Sequence, residues 1–221
     1  RCARPQGCEM SSAPLLDVQD LQVSFADRHG DWIDAVKSVS FTLGRERLGI
    51  VGESGSGKSQ TGRAIMGLTP PEARVHASRM RLGETDLLTC SPQQRRELRG
   101  KRMTMVLQDP KFSLNPVMTI GEQIVETLQA HRPMNRAQAI EETLAALVAV
   151  QIDNPQRVFG LYPHEVSGGM GQRAMIAMML CPQPDLLIAD EPTSALDVTV
   201  QLQVLSILDK LVSQRGMGLI F

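Results

Sequence analysis

At 221 residues, 42% of them hydrophobic and 21% charged, the chain is long enough to bury a sizeable core and has the balance of an ordinary globular domain. A formal net charge of −1, with no run of Lys or Arg longer than two residues, argues against a nucleic acid or an anionic membrane surface as partner. No apolar run approaches the ~18 residues of a membrane span, and the N-terminus has no signal-peptide core, so a cytosolic chain is expected.

Residues 1–9 differ in character from the rest of the chain and precede Met10, which would make a natural start. Residues 1–14 are therefore read as a disordered or non-native segment. Cys2, Cys8, Cys90 and Cys181 form no CxxC pair and no cluster with histidine, and are read as free thiols. Residues 17–25 alternate through Val18, Leu21, Val23 and Phe25, and residues 39–43 through Val39, Phe41 and Leu43, which predicts two strands with one buried face each. The polar stretch between them holds Trp32, whose ring either stacks on a base or packs on the sheet.

The apolar run at residues 48–51 then leads into Gly52, Glu53, Ser54, Gly55, Ser56, Gly57, Lys58 and Ser59, followed by a helical pattern over residues 61–66. Strand, GxxxxGK[ST] loop and helix form a phosphate cradle: the glycines let backbone N–H groups turn inward, and the helix aims its positive end at the same anion. These loop residues and the adjoining Gln60 are the candidate nucleotide ligands. Lys58 reaches the β- and γ-phosphates in such a loop, and Ser59 takes a Mg²⁺ ligand position. No element is assigned between residues 67 and 102. Residues 103–107 then form a short apolar strand that delivers Gln108 into an Asp109-Pro110 turn.

From Ser113 the pattern becomes helical, with Ile120, Ile124, Val125 and Leu128, then Ile140, Leu144, Leu147 and Val148, at helix spacing. A third helix begins near Ser167-Gly168-Gly169 and runs through a methionine-rich stretch to Leu180, its methionines read as core packing. Residues 186–189 read as a fully buried strand ending in Asp190 and Glu191, at the carboxyl edge where open α/β sheets bind ligands. Asp190 is assigned to Mg²⁺ and its waters, and Glu191 to polarising the attacking water. A helix over residues 198–212 and a strand from Gly218 complete the series.

The loop at residues 52–59, Gln108, the run Ser167-Gly168-Gly169-Met170-Gly171-Gln172, the strand ending at Glu191, and Ser194-Ala195-Leu196-Asp197 together resemble, in order, the Walker A, Q-loop, signature, Walker B and D-loop motifs of the ATP-binding subunit of an ABC transporter. A narrower resemblance, over about residues 15–221, is to the dipeptide/oligopeptide/nickel importer branch. It implies an α/β fold: a P-loop NTPase core with a mostly parallel sheet, an antiparallel N-terminal β part and an inserted helical subdomain. The expected divisions are 15–112 for the first part of the core, 113–170 for the helical subdomain and 171–221 for the second part.

The resemblance further implies ATP and Mg²⁺ as ligands and hydrolysis of ATP coupled to import. The partners would be a second ATPase subunit, two membrane permeases and an extracytoplasmic substrate-binding protein, with the chain peripheral on the cytoplasmic face of the inner membrane. Gln108 would touch Mg²⁺ or the lytic water. Ser167, Gly168, Gly169 and Gln172 would serve a partner's nucleotide, and Asp197 would brace the dimer. For the adenine, Phe25 fits better by position than Trp32. Val166 and Gly171 depart mildly from the family pattern. The family's switch histidine has no counterpart in His29, His76, His131 or His164, so a chain incomplete at its C-terminus is expected. An inactive or regulatory nucleotide-binding remnant, or a non-transport ABC ATPase, stays open beside import.

Overall fold

Two sheets, one antiparallel and one parallel, enclose a single short helix. The structure, a computed structural model, describes residues 13–107, 113–194 and 196–221. The readings made for Gln108 and for residues 1–12 lie outside the described residues.

The first sheet is built on β1 (Leu16–Ala26), which forms an antiparallel hairpin with β2 (Trp32–Leu43). On its other edge β1 pairs with β4 (Arg74–His76) and β5 (Arg79–Leu82), and β5 in turn with β6 (Thr85–Asp86). Leu16, Val18, Leu21 and Val23 of β1 all point into the core. The alternation is kept across a register shift near Asp20, whose φ of +53° marks the bulge. β2 starts seven residues before the alternating Val39 because the ladder to β1 supplies its hydrogen bonds whether or not its side chains alternate.

The second sheet is parallel, in the order β3 (Arg47–Leu48), β9 (Gly218–Ile220), β8 (Leu186–Ala189), β7 (Met103–Val106). All four residues of β7 and of β8 are buried, as expected of strands covered on both faces. Successive side chains go to opposite layers. Leu186, Ile188, Met103, Met105 and Ile220 pack with α1 (Lys58–Met66) and the antiparallel sheet. Leu187, Ala189, Val106 and Leu219 pack with α6 (Gly168–Leu180) and α7 (Val198–Arg215).

Helix α1 therefore lies between the sheets, contributing Ala64, Ile65 and Met66 to the shared core. Gly62 sets its distance from the parallel sheet: a Cβ there would lie 3.0 Å from Ile188 Cγ2 and 3.3 Å from Met105 Cε. The elements missed between residues 67 and 102 are β4, β5, β6 and α2 (Pro92–Leu98), strands of two to four residues and one seven-residue helix, too short for periodicity to register.

Between β7 and β8 the described chain is helical: α3 (Ile120–His131), α4 (Arg136–Ala149), α5 (Pro155–Phe159) and α6. Capping side chains fix where these begin. Thr119, Asn135, Asn154 and Ser167 each accept a hydrogen bond from the amide three residues on. Buried Gln123 holds the segment before α3, accepting from Asn115 N–H at 2.8 Å and donating to the Asn115 and Met118 carbonyls at 3.0 Å each. These helices share one core with α6, α7 and the parallel sheet.

Within that core Gly121 receives the Phe159 ring, and a Cβ at Gly121 would lie 2.2 Å from Phe159 Cγ. Gly121→Ala is expected to destabilise the chain by about 1–3 kcal/mol through overpacking, despite the better helix propensity of alanine. Trimming the ring in Gly121→Ala/Phe159→Leu should recover part of the loss. Denaturant midpoints read both, and a single substitution that stabilises contradicts the packing described.

Candidate active site

Beyond β3 the parallel ladder continues through Ile50 N–H, which donates to the Phe221 carbonyl at 2.7 Å, and then the chain turns into the glycine-rich loop. Gly55 and Gly57 have φ of +81° and +92°, a region that favours glycine. At Gly57 space is limiting as well, since a Cβ would lie 2.3 Å from the Ala35 carbonyl oxygen of β2. Helix α1 starts at once, with Gly57 as N-cap and no side-chain cap. Its first-turn N–H groups have no intrahelical partner and face the loop, the arrangement that receives a phosphate.

Lys58 is drawn back over this loop. Its Nζ donates to the Gly52 carbonyl at 2.9 Å and the Glu53 carbonyl at 3.0 Å, with 23% of the side chain exposed. Ser59 Oγ donates to Asp190 Oδ1 at 2.7 Å, joining α1 to the end of β8. Asp190 is itself fixed by its N–H, which donates to the Val106 carbonyl at 2.9 Å. Glu191 Oε1 lies 4.0 Å from Lys58 Nζ, with the glutamate side chain 48% exposed. A cleft of about 300 Å³ is lined by Lys58, Ser59, Asp190, Glu191, Thr193 and Ser194 together with apolar residues of the sheet. The structure thus brings together an ammonium, a hydroxyl–carboxylate pair and a second, half-exposed carboxylate beside that ammonium at one helix N-terminus. Chemically, such a set offers a polyphosphate an ammonium and backbone amides, and offers a hard divalent cation oxygen ligands.

A second groove, about 490 Å³, runs between the loop and β2 and is lined by Asp34, Ala35, Lys37, Gly52, Gly55 and Ser56 among others. Sequence reasoning missed the β2 residues, and nothing local signals them, because they flank the loop only once the sheets are stacked. Thr193 and Ser194 were equally unassigned to the cleft.

Other expected site residues lie elsewhere. Ser167 is the N-cap of α6, accepting from Met170 N–H at 3.3 Å, and Asp197 is the N-cap of α7, accepting from Val200 N–H at 3.1 Å. These two helix starts meet: a Cβ at Gly169 would lie 2.7 Å from Val200 Cγ1, and Gly168 faces Leu196. None of Ser167, Gly168, Gly169 and Asp197 lines the Lys58 cleft. Gln172, expected among the nucleotide ligands, differs from that expectation: it is 1% exposed, and its amide donates to the Pro192 carbonyl inside the chain. Its place on the second turn of α6 turns it inward while the first turn stays at the surface. Phe25 packs half-buried against the core between the sheets, and the Arg74 guanidinium lies 3.5 Å from the centroid of the Trp32 ring, which is 40% exposed.

Glu191 has a φ of +46°, in the left-handed region where a side chain is strained. Glu191→Gly is expected to raise stability by roughly 1 kcal/mol, whereas Glu191→Ala, which keeps the Cβ, should gain much less. Thermal midpoints of the two variants decide it, and equal shifts would assign the effect to lost charge rather than backbone strain.

The chain is 49% identical over 198 residues to the oligopeptide transport ATP-binding protein OppD of Salmonella typhimurium, covering 89% of this chain and 58% of that protein. It is 46% identical to the dipeptide transport ATP-binding protein DppD of Haemophilus influenzae, covering 93% and 62%. The chain thus spans about three-fifths of the length of these relatives. Among solved structures, the ATP-binding cassette MJ0796, in a dimeric post-hydrolysis state bound to ADP and Pi, superposes with a TM-score of 0.79 over 93% of this chain and 86% of that one. At 23% identity that likeness speaks for the fold alone. A family model described as ABC transporter matches residues 36–194, taking in the glycine-rich loop, the α6 start and the strand that carries Asp190 and Glu191, and on that match the chain belongs to the ABC transporter family.

Proposed function

We propose that the chain binds Mg·ATP in the Lys58 cleft and hydrolyses it, as the ATPase subunit of a peptide importer. The observation that carries this is the 2.7 Å hydrogen bond from Ser59 to Asp190, at a helix N-terminus beside Lys58, with Glu191 adjoining. Lys58 and the loop N–H groups hold the phosphates, and their charge is favourable wherever negative charge develops on the γ-phosphate. Ser59 and Asp190 supply oxygen ligands suited to Mg²⁺, which neutralises phosphate charge when bound. Glu191 holds the attacking water and accepts its proton at the carboxylate.

The names of the relatives, oligopeptide and dipeptide transport ATP-binding proteins, support peptides as the cargo. In the same reading residues 113–170 act as a helical arm presenting Ser167, Gly168 and Gly169 to the ATP of a second ATPase subunit. Gln108 senses the metal or water, and Asp197 braces the dimer. Phe25 is the nearer choice for the adenine. Two permeases and an extracytoplasmic binding protein complete the assembly, with the chain peripheral on the cytoplasmic side of the membrane. No helix of the described residues is long and apolar enough to cross a membrane.

Lys58→Ala is expected to weaken Mg·ATP binding by roughly tenfold to a hundredfold, the loss of a charged hydrogen-bond donor. Fluorescent-nucleotide titration measures it, and equal affinity in both proteins removes the reading. Glu191→Gln in the full-length protein should keep ATP affinity while slowing phosphate release by about 10²–10⁴-fold. A rate close to wild type would take Glu191 out of the mechanism.

A further inference from the structure

The side-chain amide of Gln172 is buried with one of its two polar atoms left unpaired. Nε2 donates to the Pro192 carbonyl, while Oε1 has no partner among the described residues. An unpaired buried oxygen costs free energy, and a side chain of similar size without one, such as methionine, would fill the same space. What the amide alone supplies is its hold on Pro192.

That hold falls at a sensitive place. Pro192 directly follows Glu191, whose φ of +46° persists only where the surroundings impose it. The peptide units around Glu191 are tied at three points. Asp190 N–H donates to the Val106 carbonyl within the parallel sheet. The Glu191 carbonyl accepts from Ser194 N–H and Ser194 Oγ, at 3.2 Å each, within the turn itself. The third tie, from Gln172, reaches across from α6, the helix that begins with Ser167, Gly168 and Gly169. We infer that Gln172 is a positioning residue for ATP hydrolysis: by gripping the Pro192 carbonyl it fixes the backbone that aims the Glu191 carboxylate, and it makes that aim depend on where α6 sits.

The inference rests on Glu191 serving hydrolysis, and a double-mutant cycle separates the two ideas. Single-turnover cleavage of prebound Mg·ATP is measured in the full-length protein, in Gln172→Met, in Glu191→Gln and in the double variant, with ATP affinity and melting temperature taken for each. Gln172→Met should slow cleavage roughly tenfold to a hundredfold, the effect of a misaimed catalytic group, with affinity within about twofold of wild type. On the Glu191→Gln background the same change should add almost nothing, because a residue acting through Glu191 loses its effect when that carboxylate is gone. If methionine unfolds the chain, Gln172→Asn, which keeps the amide but draws its donor back by one methylene, carries the same expectation. Cleavage at the wild-type rate, losses that multiply across the cycle, or affinity falling in step with rate overturns the role of Gln172. A wild-type rate in Glu191→Gln overturns the hydrolytic reading itself, and this inference with it.

Discussion

Helix α1 cannot stand alone: nine residues are too few to be stable in water, so it exists because both faces are buried. One side meets β1 and β2 of the antiparallel sheet, the other meets β7 and β8 of the parallel one, and Gly62 permits the close approach to Ile188 and Met105. Everything at the site depends on this wedge. It presents the first-turn amides of α1 at the mouth of the loop, and it brings Ser59 within 2.7 Å of Asp190 although 131 positions separate them. It also brings the Ala35 carbonyl so near Gly57 that no side chain fits there.

The strand ends supply the second half of the arrangement. β8 is buried on both faces and ends at Ala189, so Asp190 and Glu191 emerge together at its carboxyl edge, where the helices no longer cover the sheet. Their environments then diverge. Asp190 is held by Ser59 and by β7, whereas Glu191 is strained in backbone, half exposed in side chain and only 4.0 Å from Lys58. Two adjacent carboxylates thereby acquire different freedom, one held by two hydrogen-bonded neighbours and one half exposed at the edge of the cleft.

The helical part between β7 and β8 is joined to the site by packing rather than by a flexible tether. α3 and α4 share a core with α6, α7 and one face of the parallel sheet, and the starts of α6 and α7 touch through Gly169 and Val200. A displacement of α6 is therefore felt at Pro192 and at the start of α7, since a close-packed interior transmits strain rather than absorbing it.

Much of this was legible in the residues themselves. The GxxxxGK[ST] spacing marks the phosphate loop because its chemistry needs consecutive residues, and the buried run Leu186–Ala189 announces both a strand and the carboxylates at its end. Helices α3, α4, α6 and α7 were readable because they are long enough for apolar spacing to repeat, whereas the five residues of α5 are not. Strands of two to four residues between 67 and 102 carry no such repeat, and β2 owes its first half to a ladder with β1 rather than to its own pattern. Only the tertiary structure decided that β2 flanks the loop with Asp34 and Lys37, that Glu191 sits at positive φ, and that the buried Gln172 amide donates to Pro192. Residue type and local spacing determine which chemistry a segment can offer. Which distant groups meet it is set by how two sheets stack on one helix, and that contact carries no local signature in the chain.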